Sequence, residues 1–159
     1  LNLARNDAGV LDVKTELVNV QDFIETTAKA LQPLASQKDL KLEMQLPTEQ
    51  LLIWGDKVRL EQLMTILVDN AIKYSLHGRI TISAELYKQQ LIIKVDDEGI
   101  GIKPEETERI FERFYRADKA RTRAEGGFGL GLPIAKLIVQ QHRGMITVQN
   151  KKSGGTCFN

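Results

Sequence analysis

The chain has 159 residues, of which 42% are hydrophobic and 27% are charged, with a formal net charge of +1. One globular domain with an apolar core is the simplest expectation at this length. No apolar run approaches the roughly 20 residues that a membrane span needs, and the near-neutral charge gives no reason to expect nucleic acid as a partner. Cys157 is the only cysteine, so an internal disulfide is excluded and a reducing compartment is expected.

Hydrophobic spacing in the first half of the chain predicts short strands and two longer helices. The expected strands are 15–20, 40–46 and 51–55, and the expected helices are 21–39 and 56–75. Pro33 predicts a kink or an end in the first helix. Asp56 is expected to cap the second helix, since a carboxylate can accept from the free N–H groups of a first turn.

The second half begins with a predicted antiparallel hairpin of strands 79–87 and 90–99, turning near residues 88–90. Further along, a helix is expected over 102–111 and another over 132–142, with closing strands over 144–150 and 154–158. Between those helices, residues 112–129 have no sustained period, which is typical of a functional lid or a disordered loop. The sum is an α+β fold, a two-layer sandwich of a mixed, mostly antiparallel sheet with helices on one face.

Polar residues interrupt the apolar surface near the end of the helix 56–75. Asn70, Lys73 and Tyr74 share a face with Ile66, because positions three and four apart are neighbours on a helix. An amide oxygen suits Mg²⁺ and an ammonium suits a phosphate. The alternative is a helix edge where polar groups simply meet solvent.

Two glycine-containing segments offer complementary chemistry. Asp97 ends an apolar strand just before "EGIG", so its carboxylate could accept from an exocyclic amine such as that of adenine. Asp96 points to the opposite face of the strand. The segment 125–136, "EGGFGLGLPIAK", places accessible main-chain N–H groups before a helix, a combination that binds anions. An acidic turn and a flexible hinge are the respective alternatives.

Taken in order, these motifs resemble the ATP-binding catalytic domain of sensor histidine kinases. The run is Asn-x-x-Lys-Tyr, Asp-x-Gly-x-Gly, Phe-x-x-Phe-Tyr-Arg and Gly-Gly-x-Gly-Leu-Gly-Leu. That superfamily, called GHKL, also includes type II topoisomerases and the Hsp90 chaperone. The resemblance covers about residues 10–158 and implies a Bergerat-type ATP-binding fold that uses ATP and Mg²⁺. Residues 1–9 would end a dimerisation helix and linker, and residues 10–159 would form the catalytic domain.

The resemblance also implies roles for single residues. Asn70 would ligate Mg²⁺, Lys73 and Tyr74 would meet the phosphate and ribose side of ATP, and Asp97 would accept from the adenine amine. The other implied positions shape the adenine wall, the lid and the closing glycine motif: Gly99, Gly101, Phe111, Phe114, Tyr115, Arg116, Gly127, Gly129, Leu130, Gly131, Gly155 and Thr156.

Two departures from the family pattern are informative. Ile66 stands where these kinases carry a second Asn and where ATP-hydrolysing relatives carry a Glu. Isoleucine can neither bind a metal nor take a proton, which favours transfer to an external nucleophile and leaves Mg²⁺ with one support fewer. Neither His77 nor His142 lies in a phosphoacceptor motif, so the acceptor is expected on a dimerisation domain outside this sequence.

The implied setting is a homodimeric sensor with a downstream response regulator. Its parent would be anchored in the cell membrane, with this domain on the cytoplasmic side. Three alternatives stay open from the sequence: an ATP-driven conformational clamp, a serine kinase acting on a regulator protein, and a binding module with no activity.

Overall fold

The computed structural model describes residues 14–75, 77–98, 131–150 and 156–158, with 148–150 and 156–158 described by their backbone alone. The helices are α1 (Val20–Gln37), α2 (Lys57–Tyr74) and α3 (Gly131–Gln141). The strands are β1 (Glu16–Asn19), β2 (Lys41–Gln45), β3 (Leu52–Gly55), β4 (Arg79–Tyr87), β5 (Gln90–Asp96), β6 (Val148–Asn150) and β7 (Thr156–Phe158). Within these ranges, every helix is too short or too polar to cross a membrane.

The larger sheet has five strands in the order β2-β4-β5-β7-β6. The β2–β4 pair is parallel and the other three pairs are antiparallel. A parallel pair requires a crossover connection, and the chain between β2 and β4 supplies one that contains β3 and α2. The prediction of a mixed, mostly antiparallel sheet is confirmed.

The predicted hairpin is confirmed, with β4 and β5 joined by a two-residue turn. Lys88 and Gln89 form this turn with φ angles of 50° and 65°. Two residues in the left-handed region match the twist of the flanking strands, which is why such turns connect hairpins. The hairpin brings the end of β5 back beside the start of β4.

A separate two-stranded sheet pairs β1 with β3. Val18 lies opposite Ile53 and Leu17 lies opposite Trp54. Since side chains alternate along a strand, the first pair faces the core and the second faces outward. The outward face is apolar and exposed, with Leu17 53%, Leu52 48% and Trp54 71% accessible.

The core lies between the helices and the larger sheet, and α2 is its centre. α2 contacts α1, α3, β4 and β5. The stripe predicted on this helix is buried: Leu60, Leu63, Met64, Leu67 and Ala71. Burying a large apolar side chain contributes about 1.5–3 kcal/mol, so this packing holds α2 against its neighbouring helices and the sheet.

The predicted first helix is confirmed, and of the two outcomes expected at Pro33, an end of the helix does not occur. α1 does not end at Pro33 but continues to Gln37. Proline removes the N–H that would bond to the carbonyl of Lys29 one turn earlier. Both residues are exposed, so water can satisfy that carbonyl. The predicted helix 102–111 and the predicted lid 112–129 lie outside the described residues.

Candidate functional site

The last turns of α2 bring together the polar residues that the sequence singled out. Asn70, Lys73 and Tyr74 are all half-buried here. Lys73 Nζ lies 3.1 Å from Asp69 Oδ2, and the two side chains are 32% and 34% exposed. This pair was not predicted above, although its spacing of four residues is a recognised signal. An ammonium has three donors, so Lys73 can hold Asp69 and still meet an anion.

Lys38, the residue that follows α1, fixes this end of α2. Its Nζ donates to the main-chain oxygens of Ile72 at 2.8 Å and of Lys73 at 3.0 Å. The last carbonyls of a helix lack intrahelical partners and form its negative end, so a cation there is favourable. Lys38 therefore holds the turn that presents Lys73 and Tyr74.

Ser75 follows as the C-cap of α2, with its main-chain N–H bonded to the oxygen of Ala71. Its side chain is fully buried, and within the described residues its hydroxyl has no hydrogen-bond partner. A buried hydroxyl without a partner is destabilising. This end of the helix thus offers a polar group that a ligand or a water molecule can satisfy.

Asp97 lies directly after β5, the central strand of the larger sheet. It is only 4% exposed, whereas the neighbouring Asp96 is half-buried. Asp96 pairs with Cys157 of β7, so one further step in that register brings Thr156 opposite Asp97. In that register Asp97 and Thr156 would be neighbours at one end of the sheet, one residue beyond the last observed pair.

Ile66 contacts the start of α3. A Cβ built on Gly131, the first residue of α3, would lie 3.3 Å from Ile66 Cγ2. That is closer than an ordinary van der Waals contact, so a side chain at Gly131 would require Ile66 to shift by a few tenths of an ångström. Ile66 is also packed against the main core. Its apolar character has a packing role between α2 and α3, which the sequence pattern alone did not indicate.

His142 is bound into the fold rather than presented to a partner. Its Nε2 accepts from the main-chain N–H of Asp56 at 3.0 Å, and its Nδ1 lies 2.8 Å from the oxygen of Ile138. One ring nitrogen must accept and the other donate, so this arrangement selects the neutral tautomer with its proton on Nδ1. His77 is exposed in the loop after α2.

The other predicted site residues lie outside the described residues: Gly99, Gly101, Phe111, Phe114, Tyr115, Arg116, Gly127, Gly129, Leu130 and Gly155. For Thr156 only the backbone is described. Among side chains that are described, no group of three or more His, Cys, Asp or Glu residues is arranged to hold a metal ion. An Mg²⁺ site here would rest on Asn70 and on oxygens of the ligand.

Comparison with known proteins gives the arrangement a context. The family model described as "Histidine kinase-, DNA gyrase B-, and HSP90-like ATPase" matches residues 55–159. Sensor protein CiaH of Streptococcus pneumoniae is 43% identical over 160 aligned residues, which cover 99% of this chain and 35% of that protein. The histidine kinase AdeS of Acinetobacter baumannii is 29% identical with a TM-score of 0.80, covering 98% of this chain and 70% of that chain.

A second solved structure agrees in fold. Full-length ShkA in complex with AMPPNP has a TM-score of 0.85 at 24% identity, covering 98% of this chain and 32% of that chain. The chain spans about a third of the length of curated relatives such as CiaH. The fold class and the resemblance inferred from the motifs are confirmed, and the chain belongs to the family of histidine kinase-, DNA gyrase B- and HSP90-like ATPases.

Proposed function

We propose that this chain is the ATP-binding catalytic domain of a sensor histidine kinase. It would hold ATP so that the γ-phosphoryl group passes to a histidine on a dimerisation domain outside this sequence. Family membership and the names of its relatives support this function. The observation that carries it is the buried carboxylate of Asp97, at the end of the central strand.

Asp97 is the proposed recognition group for adenine. An ionised carboxylate is an acceptor only, and the exocyclic amine of adenine is a donor. Because Asp97 is shielded from water, a hydrogen bond to it is worth more than one at the surface. Gly99 and Gly101 would shape the adjoining wall, and Thr156 would close it from β7.

The C-terminal end of α2 would meet the ribose and the phosphates. Lys73 and Tyr74 are the proposed contacts, and the hydroxyl of Ser75 is available beside them. Mg²⁺ in nucleotide sites is usually held by one or two protein groups together with phosphate oxygens and water. Asn70 fits this chemistry through its amide oxygen, and bound Mg²⁺ would neutralise charge on the phosphates. The AMPPNP complex of ShkA supports a nucleoside triphosphate as ligand.

The segment before α3 would close over the triphosphate. Phe111 and Phe114 are proposed to anchor it, and Tyr115 and Arg116 to contact the nucleotide. Gly127, Gly129, Leu130 and Gly131 would supply main-chain N–H groups near the start of the helix, where negative charge is favoured. Gly155 completes the proposed set beside Thr156.

In the transfer step, a ring nitrogen of the acceptor histidine attacks the γ-phosphorus. A bond from nitrogen to phosphorus forms, the bond to the bridging oxygen breaks, ADP leaves, and the imidazole proton passes to solvent. The protein contributes mainly position and charge neutralisation, as is usual for phosphoryl transfer. Ile66 offers no proton acceptor that could activate water, which supports transfer over hydrolysis.

The proposal extends to the parent protein. Residues 1–9 would end the linker from a dimerisation domain, and residues 10–159 would form this domain. The parent would act as a homodimer, pass its phosphoryl group to a response regulator, and be anchored in the cell membrane with this domain in the cytoplasm. Nucleic acid is not an expected partner.

The assignment of Asp97 to adenine is tested by comparing alanine variants of two neighbouring aspartates. We expect Asp97→Ala to lose a charge-assisted hydrogen bond of about 1.5–3 kcal/mol, which weakens ATP binding about 10- to 150-fold. Asp96→Ala is the matched control, since that residue is one position away on the opposite face of β5. Isothermal titration calorimetry on both variants measures the difference. Equal affinities for the two variants would remove Asp97 from the site.

The reaction is tested by mixing this domain, γ-labelled ATP and the separately prepared dimerisation domain of its parent. We expect acid-labile label on that second domain. Release of labelled inorganic phosphate at the same rate with and without the second domain would indicate an ATPase instead.

A further inference from the structure

The main-chain pairing of β5 with β4 stops just before the proposed adenine site. In an antiparallel pair, every second pair of residues exchanges main-chain hydrogen bonds. The two-residue turn makes Tyr87 and Gln90 such a pair. The same kind of pair recurs every two residues along both strands, as far as Thr81 and Asp96. The next such position would place Arg79 opposite Glu98.

At that position a side chain replaces the main chain. The N–H of Arg79 donates to Glu98 Oε2 at 3.0 Å. A continued strand would offer this N–H a main-chain oxygen instead. Because the carboxylate takes over, the backbone after Asp97 can leave the sheet while the start of β4 keeps its donor satisfied.

Gly78 makes room for this contact. A Cβ at Gly78 would collide with the carboxylate of Glu98, and its φ of +92° favours glycine. On its other side, the oxygen of Gly78 accepts from the N–H of Lys41 at 3.1 Å, which ties it to the start of β2. The main chain that receives Glu98 is therefore held by the sheet.

We propose that Glu98 is a positioning residue for Asp97. Asp97 lies between Asp96, which is the last residue of β5, and Glu98, which is fastened to β4. With both neighbours held, the buried carboxylate has a fixed place at the end of the sheet. Without the Glu98 bond, the chain after β5 is released and the Asp97 carboxylate loses its alignment toward a base.

This inference depends on the proposed function, because the alignment matters only if Asp97 meets adenine. The test compares binding of ATP with binding of inosine triphosphate, whose base lacks the exocyclic amine. The ratio of the two affinities reports the contacts at the 6-amino edge of the base, where Asp97 is proposed to lie. A general loss of structure lowers both affinities and leaves the ratio unchanged.

We expect Glu98→Ala and Glu98→Met to weaken ATP binding about three- to tenfold, the scale of one hydrogen bond, with little change for inosine triphosphate. Glu98→Gln keeps an acceptor oxygen and restores the ratio to the wild-type value. Gly78→Ala should also lower the ratio, because the added methyl group would displace the Glu98 carboxylate. Glu98 is exposed, so thermal melting should show the Glu98 variants folded.

Calorimetry on these variants and on Asp97→Ala separates the possible failures. An unchanged ratio in Asp97→Ala removes the adenine assignment itself. A lowered ratio in Asp97→Ala with a wild-type ratio in Glu98→Ala and Glu98→Met overturns only the positioning role. A glutamine variant as poor as the alanine variant also overturns it, because the acceptor would then be irrelevant.

Discussion

The two ends of α2 use their polar groups in opposite ways. At its start, the Asp56 carboxylate accepts from the N–H groups of Lys14, Val58 and Arg59, and the Asp56 N–H goes to His142. At its other end, Lys38 satisfies two carbonyls, yet the buried hydroxyl of Ser75 has no partner within the described residues.

This difference indicates that one end of α2 serves the fold and the other end serves ligand binding. The first end is fastened by groups from distant parts of the chain, so its polar atoms serve the fold. At the second end, Lys38 fastens two carbonyls, and the ammonium of Lys73 can still donate to a ligand beside its pair with Asp69. Changes at the first end should lower stability and spare nucleotide binding. At the second end, loss of Lys38 should lower stability, whereas changes to the side chains proposed to meet the ligand should weaken nucleotide binding with little loss of stability.

The largest loss of stability is expected from Asp56→Ala. It removes the acceptor of three main-chain donors, and loss of a helix cap alone destabilises by about 1–2 kcal/mol. With the remaining donor included, we expect about 2 kcal/mol, or a melting temperature lower by about 4–8 °C. Circular dichroism melting measures this. Asp56→Asn keeps the capping oxygen and should lose far less.

His142→Ala should follow at about 1.5 kcal/mol, since the buried N–H of Asp56 loses its acceptor. His77→Ala is the matched control, because the other histidine of the chain is exposed and its loss should stay within about 0.5 kcal/mol. Denaturant titration compares the two. Equal stabilities would mean that the start of α2 does not depend on α3.

Lys38→Met should cost about 1 kcal/mol, the net value of its hydrogen bonds to the helix end. Lys29→Met is the control, because Lys29 is an exposed lysine within α1. Amide hydrogen exchange should also quicken at the last turn of α2 in the first variant only. Unchanged exchange there would indicate that packing alone holds this end.

Ser75→Ala should have the smallest effect on folding, within about 0.5 kcal/mol, because no partner within the described residues is lost. ATP binding should nevertheless weaken by up to about fivefold, the value of one neutral hydrogen bond. A loss of stability above about 1 kcal/mol would contradict the comparison, since it would assign the hydroxyl to the fold.

Local pattern was enough to predict most elements of this fold. The stripe of α2, the cap at Asp56 and the hairpin of β4 and β5 follow from spacing and turn chemistry over short stretches. Strand pairing does not follow from local pattern, because the pairing of β2 with β4, or of β1 with β3, depends on contacts between distant segments. Continuation of α1 past Pro33 depended on solvent exposure, which a sequence does not state.

The candidate site shows the same limit. Asp97 could be proposed because it ends an apolar strand just before two glycines, and because the order of the motifs resembles that of histidine kinases. Lys38 and Glu98 could not, because each acts on main-chain atoms that are remote in sequence. From the sequence, Ile66 is only the absence of a metal ligand. Its packing role depends on Gly131, which is remote in sequence and lies beside it in the fold.

Trp54 has a practical consequence for all of these measurements. It is the only tryptophan of the chain, and its ring is largely in water on the outer face of β3. Its fluorescence should therefore resemble that of an unfolded chain already, and we expect emission wavelength to be a poor index of denaturation. The same ring would shift its emission to the blue if another molecule covered that face, which makes it a built-in optical sensor for docking.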